Sequence, residues 1–107
     1  MNTPPKEQTR PEITITDTDQ RRVKDQILDV REDFEITEGM IPGAIHIPMG
    51  ELNTRLGELD QARPVIVICR SGNRSARVAD ALTGAGYTAD TMAGGMIAWQ
   101  RAGLPVS

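Results

Sequence analysis

Apolar residues along this chain fall into short blocks whose spacing switches between the period of a strand and that of a helix. Val65-Ile66-Val67-Ile68 is an unbroken β-branched run, the pattern of a strand buried on both faces. Ile27-Leu28-Asp29-Val30 reads the same way with one acid inside it. Ala44-Ile45-His46-Ile47-Pro48 predicts a short strand ended by proline. Pro11-Glu12-Ile13-Thr14-Ile15-Thr16 alternates polar and apolar positions, as an edge strand does, and Tyr87 to Met92 predicts one more strand. Between these, Leu52, Leu56 and Leu59 recur at i, i+4 and i+7, so Glu51 to Leu59 is expected as an amphipathic helix. Val78, Ala81, Leu82 and Ala85 repeat that spacing, with Gly86 placed as a C′ glycine. A last helix is expected over Met96 to Ala102, opened by Gly94-Gly95 and closed by Gly103 and Leu104-Pro105. The polar stretch Asp17 to Gln26 predicts a short helix. Phe34 to Gly43 reads as irregular, ended by the turn signal Ile41-Pro42-Gly43.

Strands alternating with helices through short connections imply an α/β domain, a central, mostly parallel sheet flanked by helices. Residues 1–10 are polar, contain two prolines and show no periodicity, which predicts a flexible arm and leaves 11–107 as one domain. Apolar residues make up 38% and charged residues 25%, a balance that suits a soluble globular domain. Aromatic residues are only 3%, so the core is expected to be aliphatic. A net charge of −3 argues against nucleic acid as a partner. Neither a membrane-length apolar run nor an N-terminal h-region is present, and the expectation is a cytoplasmic protein without a membrane partner.

Cys69 is the only cysteine, so no internal disulfide can form, and no Cys/His cluster suggests a metal; no cofactor is called for. His46 is the only histidine, and alternation with Ile45 and Ile47 makes it an ordinary strand residue rather than a base. Cys69 ends the most apolar strand and is followed by Arg70-Ser71-Gly72-Asn73-Arg74-Ser75 and then a helical pattern. Ligands of open α/β sheets bind beyond the carboxyl ends of strands. There the N–H groups of a tight loop form an anion-binding nest, with the positive end of a helix behind it. Gly72 permits the sharp path, Arg70 and Arg74 add charge, and Ser75 or Asn73 is expected to cap the helix. A thiol so placed ionises readily, and the thiolate is the nucleophile. Cys69 is therefore the candidate catalytic residue, with Arg70 to Ser75 as its anion loop. A buried, inert cysteine is the blander reading, and the flanking arginines and glycine weigh against it. Asp29, ending a buried strand, needs a partner, and Arg31, Arg70 or Arg74 could supply one and brace the loop.

Four segments in order resemble the rhodanese family of thiosulfate and persulfide sulfurtransferases: Ile27-Leu28-Asp29-Val30-Arg31-Glu32, Gly39 to Pro48, Cys69 to Ser75, and Gly94-Gly95-Met96-Ile97-Ala98-Trp99 with Gly103-Leu104-Pro105-Val106. Met40 stands where the family usually has histidine, a departure that concerns stability or access rather than chemistry. The resemblance implies a rhodanese-like three-layer domain and an enzyme of the thiosulfate:cyanide sulfurtransferase type. Cys69 would take sulfane sulfur from a small donor such as thiosulfate, hold it as a persulfide, and pass it to a thiol, cyanide or a sulfur-acceptor protein. Asp29 and Arg31 would support the site. A persulfide carrier serving another protein fits the same residues. Cysteine phosphatases and arsenate reductases fit less well, because four residues separate Cys69 from Arg74, one fewer than in the loop of related phosphatases.

Overall fold

Val65–Ile68 forms the middle strand of a five-stranded sheet, every one of its residues buried. The computed structural model describes residues 12–107. Strands β1 (Glu12–Ile13), β2 (Gln26–Asp29), β3 (Ile45–His46), β4 (Val65–Ile68) and β5 (Ala89–Met92) are all parallel and lie in the order β1-β5-β4-β2-β3. Four helices cover it: α1 (Ile15–Arg21), α2 (Leu52–Arg55), α3 (Asn73–Gly84) and α4 (Gly95–Arg101). The strands alternate side chains between faces. Leu28, Val65 and Val67 pack with Leu52, Leu59, Val78 and Leu82 on one side. Ile27, Ile66 and Ile68 pack with Met92, Met96 and Trp99 on the other. The α/β architecture expected from the sequence is the one observed.

Several local expectations give way to tertiary structure. The alternating stretch at Pro11–Thr16 yields only the two-residue β1 among the described residues, because Thr14 caps α1, its Oγ1 accepting from the Asp17 N–H at 2.9 Å. The short helix therefore begins at Ile15 rather than Asp17. Strand β2 starts at Gln26 and ends at Asp29, one residue earlier than its apolar run. Glu51 to Leu59 is not one helix: α2 is four residues between two 3₁₀ turns, Met49–Glu51 and Leu56–Glu58. Gly50 and Gly57 weaken helix propagation there, while Leu52 and Leu59 still reach the core. The buried stripe of α3 is Ser75, Val78, Ala79 and Leu82, not Ala81 and Ala85. Tyr87 is drawn into the end of α3 by its N–H bond to the Leu82 carbonyl, which delays β5 to Ala89. The arm expected over residues 1–10 lies outside the described residues.

Past α4 the chain turns at Gly103 and runs back along residues 39–41. Met40 and Ser107 exchange both backbone hydrogen bonds, at 3.2 and 2.9 Å, and the Trp99 indole N–H donates to the Pro105 carbonyl at 2.7 Å. No helix among the described residues is long and apolar enough to cross a membrane.

Candidate active site

Three neighbouring strands end together at one edge of the sheet: β2 at Asp29, β4 just before Cys69, and β5 just past Thr91. Cys69 is the first residue after β4 and is 1% exposed. The chain then turns through Arg70, Ser71 and Gly72, with Gly72 at φ +114°, and enters α3 at Asn73. Gly72 itself is the N-cap, so neither Ser75 nor Asn73 caps the helix as expected. The left-handed turn at Gly72 leaves Asn73 exposed at the first helical position and buries Ser75 beneath the loop.

This path points donors at the sulfur. The Gly72 N–H lies 3.0 Å and the Ser75 N–H 3.3 Å from Cys69 Sγ, and Ser75 Oγ lies 3.4 Å from it. Burial pushes the Cys69 thiol up, but the Ser75 hydroxyl and the N–H groups of Ser75, Gly72 and Ser71 outweigh it, leaving the thiol below its ordinary value. The N-terminus of α4 fixes the loop from behind. Met96 donates its N–H to the Cys69 carbonyl at 2.9 Å, and Ile97 donates to the Arg70 carbonyl at 3.1 Å. That approach is possible because position 95 is glycine, with φ +59°.

The two loop arginines differ. Arg74 is locked in a bidentate pair with Glu35, both bonds 2.8 Å. Arg70 is exposed, and its guanidinium makes no ion pair or hydrogen bond with any described residue. It borders a cleft of about 350 Å3 that Phe34, Glu35 and Met96 also line. Asp29 pairs with Arg31, not with either loop arginine, through bonds of 2.8 to 3.1 Å between two buried side chains. Arg31 then reaches the carbonyls of Gly39 at 2.9 Å and Glu35 at 3.3 Å. The brace anticipated from Asp29 is thus indirect: Asp29 fixes Arg31, Arg31 fixes the segment bearing Glu35, and Glu35 fixes Arg74. His46 is partly buried, its Nε2 lying 2.7 Å from the Arg31 carbonyl oxygen. Among the described residues no group of His, Cys, Asp and Glu is arranged to hold a metal ion.

The periodic pattern does not distinguish Glu35 or Thr91. Glu35 sits in an irregular acidic stretch whose partner is 39 positions away. Thr91 had a weak signal, since it and Ser75 are polar residues at buried positions of a strand and a helix. The Glu35 carboxyl predicts a measurable pH effect. The Arg74 hydrogen bonds, opposed by burial and helped by the Glu32 N–H, hold it at about 2 against an ordinary 4.5. The unfolded chain therefore takes up a proton first, so the stability this pair contributes is complete above pH 4.5 and fades as pH falls from 4.5 towards 2. Glu35→Gln is expected to be less stable at pH 7, with the difference from wild type shrinking across that window in urea titrations. A difference that stays constant with pH would show that the pair carries no such contribution.

A family model, the rhodanese-like domain, matches residues 14–102. YtwF of Bacillus subtilis is 45% identical over 74 residues, covering 69% of this chain and 72% of its own length. A protein of Allochromatium vinosum named sulfurtransferase is 41% identical over 81 residues, 75% of this chain and 76% of its own. Among solved structures, a rhodanese-related protein from Thermoplasma volcanium superposes with a TM-score of 0.86 at 34% identity, covering 91% of this chain and 97% of that one. The chain belongs to the rhodanese-like family.

Proposed function

We propose that this protein is a sulfurtransferase that carries sulfane sulfur as a persulfide on Cys69, from thiosulfate or a persulfide donor to a thiol, cyanide or a sulfur-acceptor protein. The observation that carries the reading is the convergence on one sulfur of the Gly72 and Ser75 N–H donors, at 3.0 and 3.3 Å, with the Ser75 hydroxyl beside them at 3.4 Å, where it accepts from the thiol. With thiosulfate, the thiolate attacks the sulfane sulfur and forms a Cys69 S–S bond. The sulfane–sulfonate bond breaks, and sulfite leaves with its electron pair. An acceptor thiolate or cyanide then attacks the outer sulfur, and Cys69 leaves as the thiolate those donors already stabilise. The Arg70 guanidinium, which lines the cleft and has no partner among the described residues, suits an anionic donor. The four-residue spacing from Cys69 to Arg74, one shorter than in the loop of related phosphatases, speaks against oxyanion chemistry.

Incubation with thiosulfate, or with a small-molecule persulfide, should add one sulfur atom to the intact protein, and cyanide should remove it. An aryl phosphate should not be hydrolysed above background. A protein that takes sulfur from neither donor, or that turns over the phosphate, would overturn the reading.

A further inference from the structure

Beneath Cys69 the Ser75 hydroxyl is hydrogen-bonded to a second buried hydroxyl that sulfur transfer as described does not use. Thr91, on β5 and 1% exposed, places its Oγ1 2.6 Å from Ser75 Oγ. Among the described residues this is the only hydrogen bond the Thr91 hydroxyl makes. A buried hydroxyl that donates to nothing is costly, so the Thr91 proton goes to Ser75 Oγ. Ser75 then gives its one proton to the Gly72 carbonyl oxygen at 3.1 Å while its Oγ accepts from the Cys69 thiol at 3.4 Å, and loss of the thiol proton makes the sulfur a second acceptor for it. The carbonyl does not depend on Ser75, since it also accepts the Ala76 N–H at 3.3 Å. While Cys69 is a thiol, the Ser75 proton can rest on the carbonyl. Once Cys69 ionises, the proton can turn to the sulfur and leave no group orphaned.

We propose that Thr91 is a positioning residue for the Cys69 thiolate: its donated hydrogen bond holds Ser75 Oγ so that the Ser75 proton can swing only between Gly72 and the sulfur. Its meaning for function rests on the sulfur-transfer reading, but its effect on the thiol does not. The charged groups around Cys69 are Arg70 and Arg74 on its own loop and helix, Asp29 at the end of β2 with Arg31 just beyond it, and Glu35 opposite Arg74. On β5, Asp90 is engaged by Arg21 at 3.0 Å, and the first turn of α4 carries no charged residue. A change at Thr91 removes none of them.

The test is the pH dependence of iodoacetamide alkylation in Thr91→Ala and Thr91→Ser, two variants that differ in the hydroxyl alone. Thr91→Ala should move the midpoint upward and slow alkylation at pH 7 by about threefold to tenfold, the change one ordinary hydrogen bond supports. Thr91→Ser should restore the wild-type midpoint. Equal midpoints in the two variants would overturn the proposal, even with sulfur transfer intact. A restored midpoint in a protein that transfers no sulfur would instead uphold the hydroxyl link and defeat the functional reading. Thr91→Val, closer in shape, repeats the comparison should Thr91→Ala fold poorly.

Discussion

Cys69→Ser is expected to give a folded protein that acquires no sulfur from thiosulfate or a persulfide and shows no turnover. The serine oxygen would occupy the place of Sγ and accept the same Gly72 and Ser75 N–H groups, so no buried donor is orphaned. Stability should change by only about 1 kcal/mol, the scale of one adjusted hydrogen bond. The chemistry, by contrast, depends on a thiol that ionises below its ordinary value and can form a labile S–S bond, and a hydroxyl does neither. The rate should fall to background, a loss on the order of 10⁴-fold or more of the kind seen when a nucleophile is removed. Intact mass after donor treatment and a thiocyanate assay read the two effects separately. Turnover persisting in this variant would remove Cys69 from the mechanism.

Gly95→Ala is the second large effect, and it acts through packing. An added Cβ at position 95 would fall 2.6 Å from the Cys69 carbonyl oxygen and closer still to the Arg70 carbonyl, all backbone that cannot swing aside. The left-handed φ of +59° adds its own cost of about 1–2 kcal/mol for a residue with a side chain. Relieving the overlap means lifting α4 off the loop and losing the Met96 and Ile97 hydrogen bonds, each about 1 kcal/mol. A total of about 3–5 kcal/mol is expected from urea unfolding. Gly103→Ala is the control, because that glycine also has positive φ but open space where a Cβ would go. Equal losses in the two variants would mean that the close approach at Gly95 contributes nothing.

The parts of this site legible in the sequence are those where local rules agree. Four β-branched residues, a cysteine, a loop glycine and a helical pattern leave little choice about where the thiol sits, and β4 occupies the residues its run predicts. Asp29, an acid ending a buried strand, visibly needs a partner, but the choice of Arg31 over Arg70 or Arg74 depends on distances a linear pattern does not contain. Glu35 is invisible for the same reason: it gains meaning only when the segment after β2 folds over the start of α3. At Glu51 to Leu59 the leucine spacing placed the right side chains in the core but overstated the helix, since glycines permit two 3₁₀ turns to make the same inward contacts.

The sheet order has a consequence for when the thiol becomes competent during synthesis. Glu12 pairs with Thr91, so the first strand waits for the fifth before it has a neighbour, and pairing over such separation is slow. The nascent chain emits Cys69 well before β5, which brings Thr91, and α4, which bolts the Cys69 and Arg70 carbonyls in place. Until those segments leave the ribosome the sulfur sits in an unfinished cradle, without Thr91 behind Ser75 and without α4 behind the loop. The setting of the sulfur is thereby completed only after β5 and α4 have been made, well after Cys69 itself.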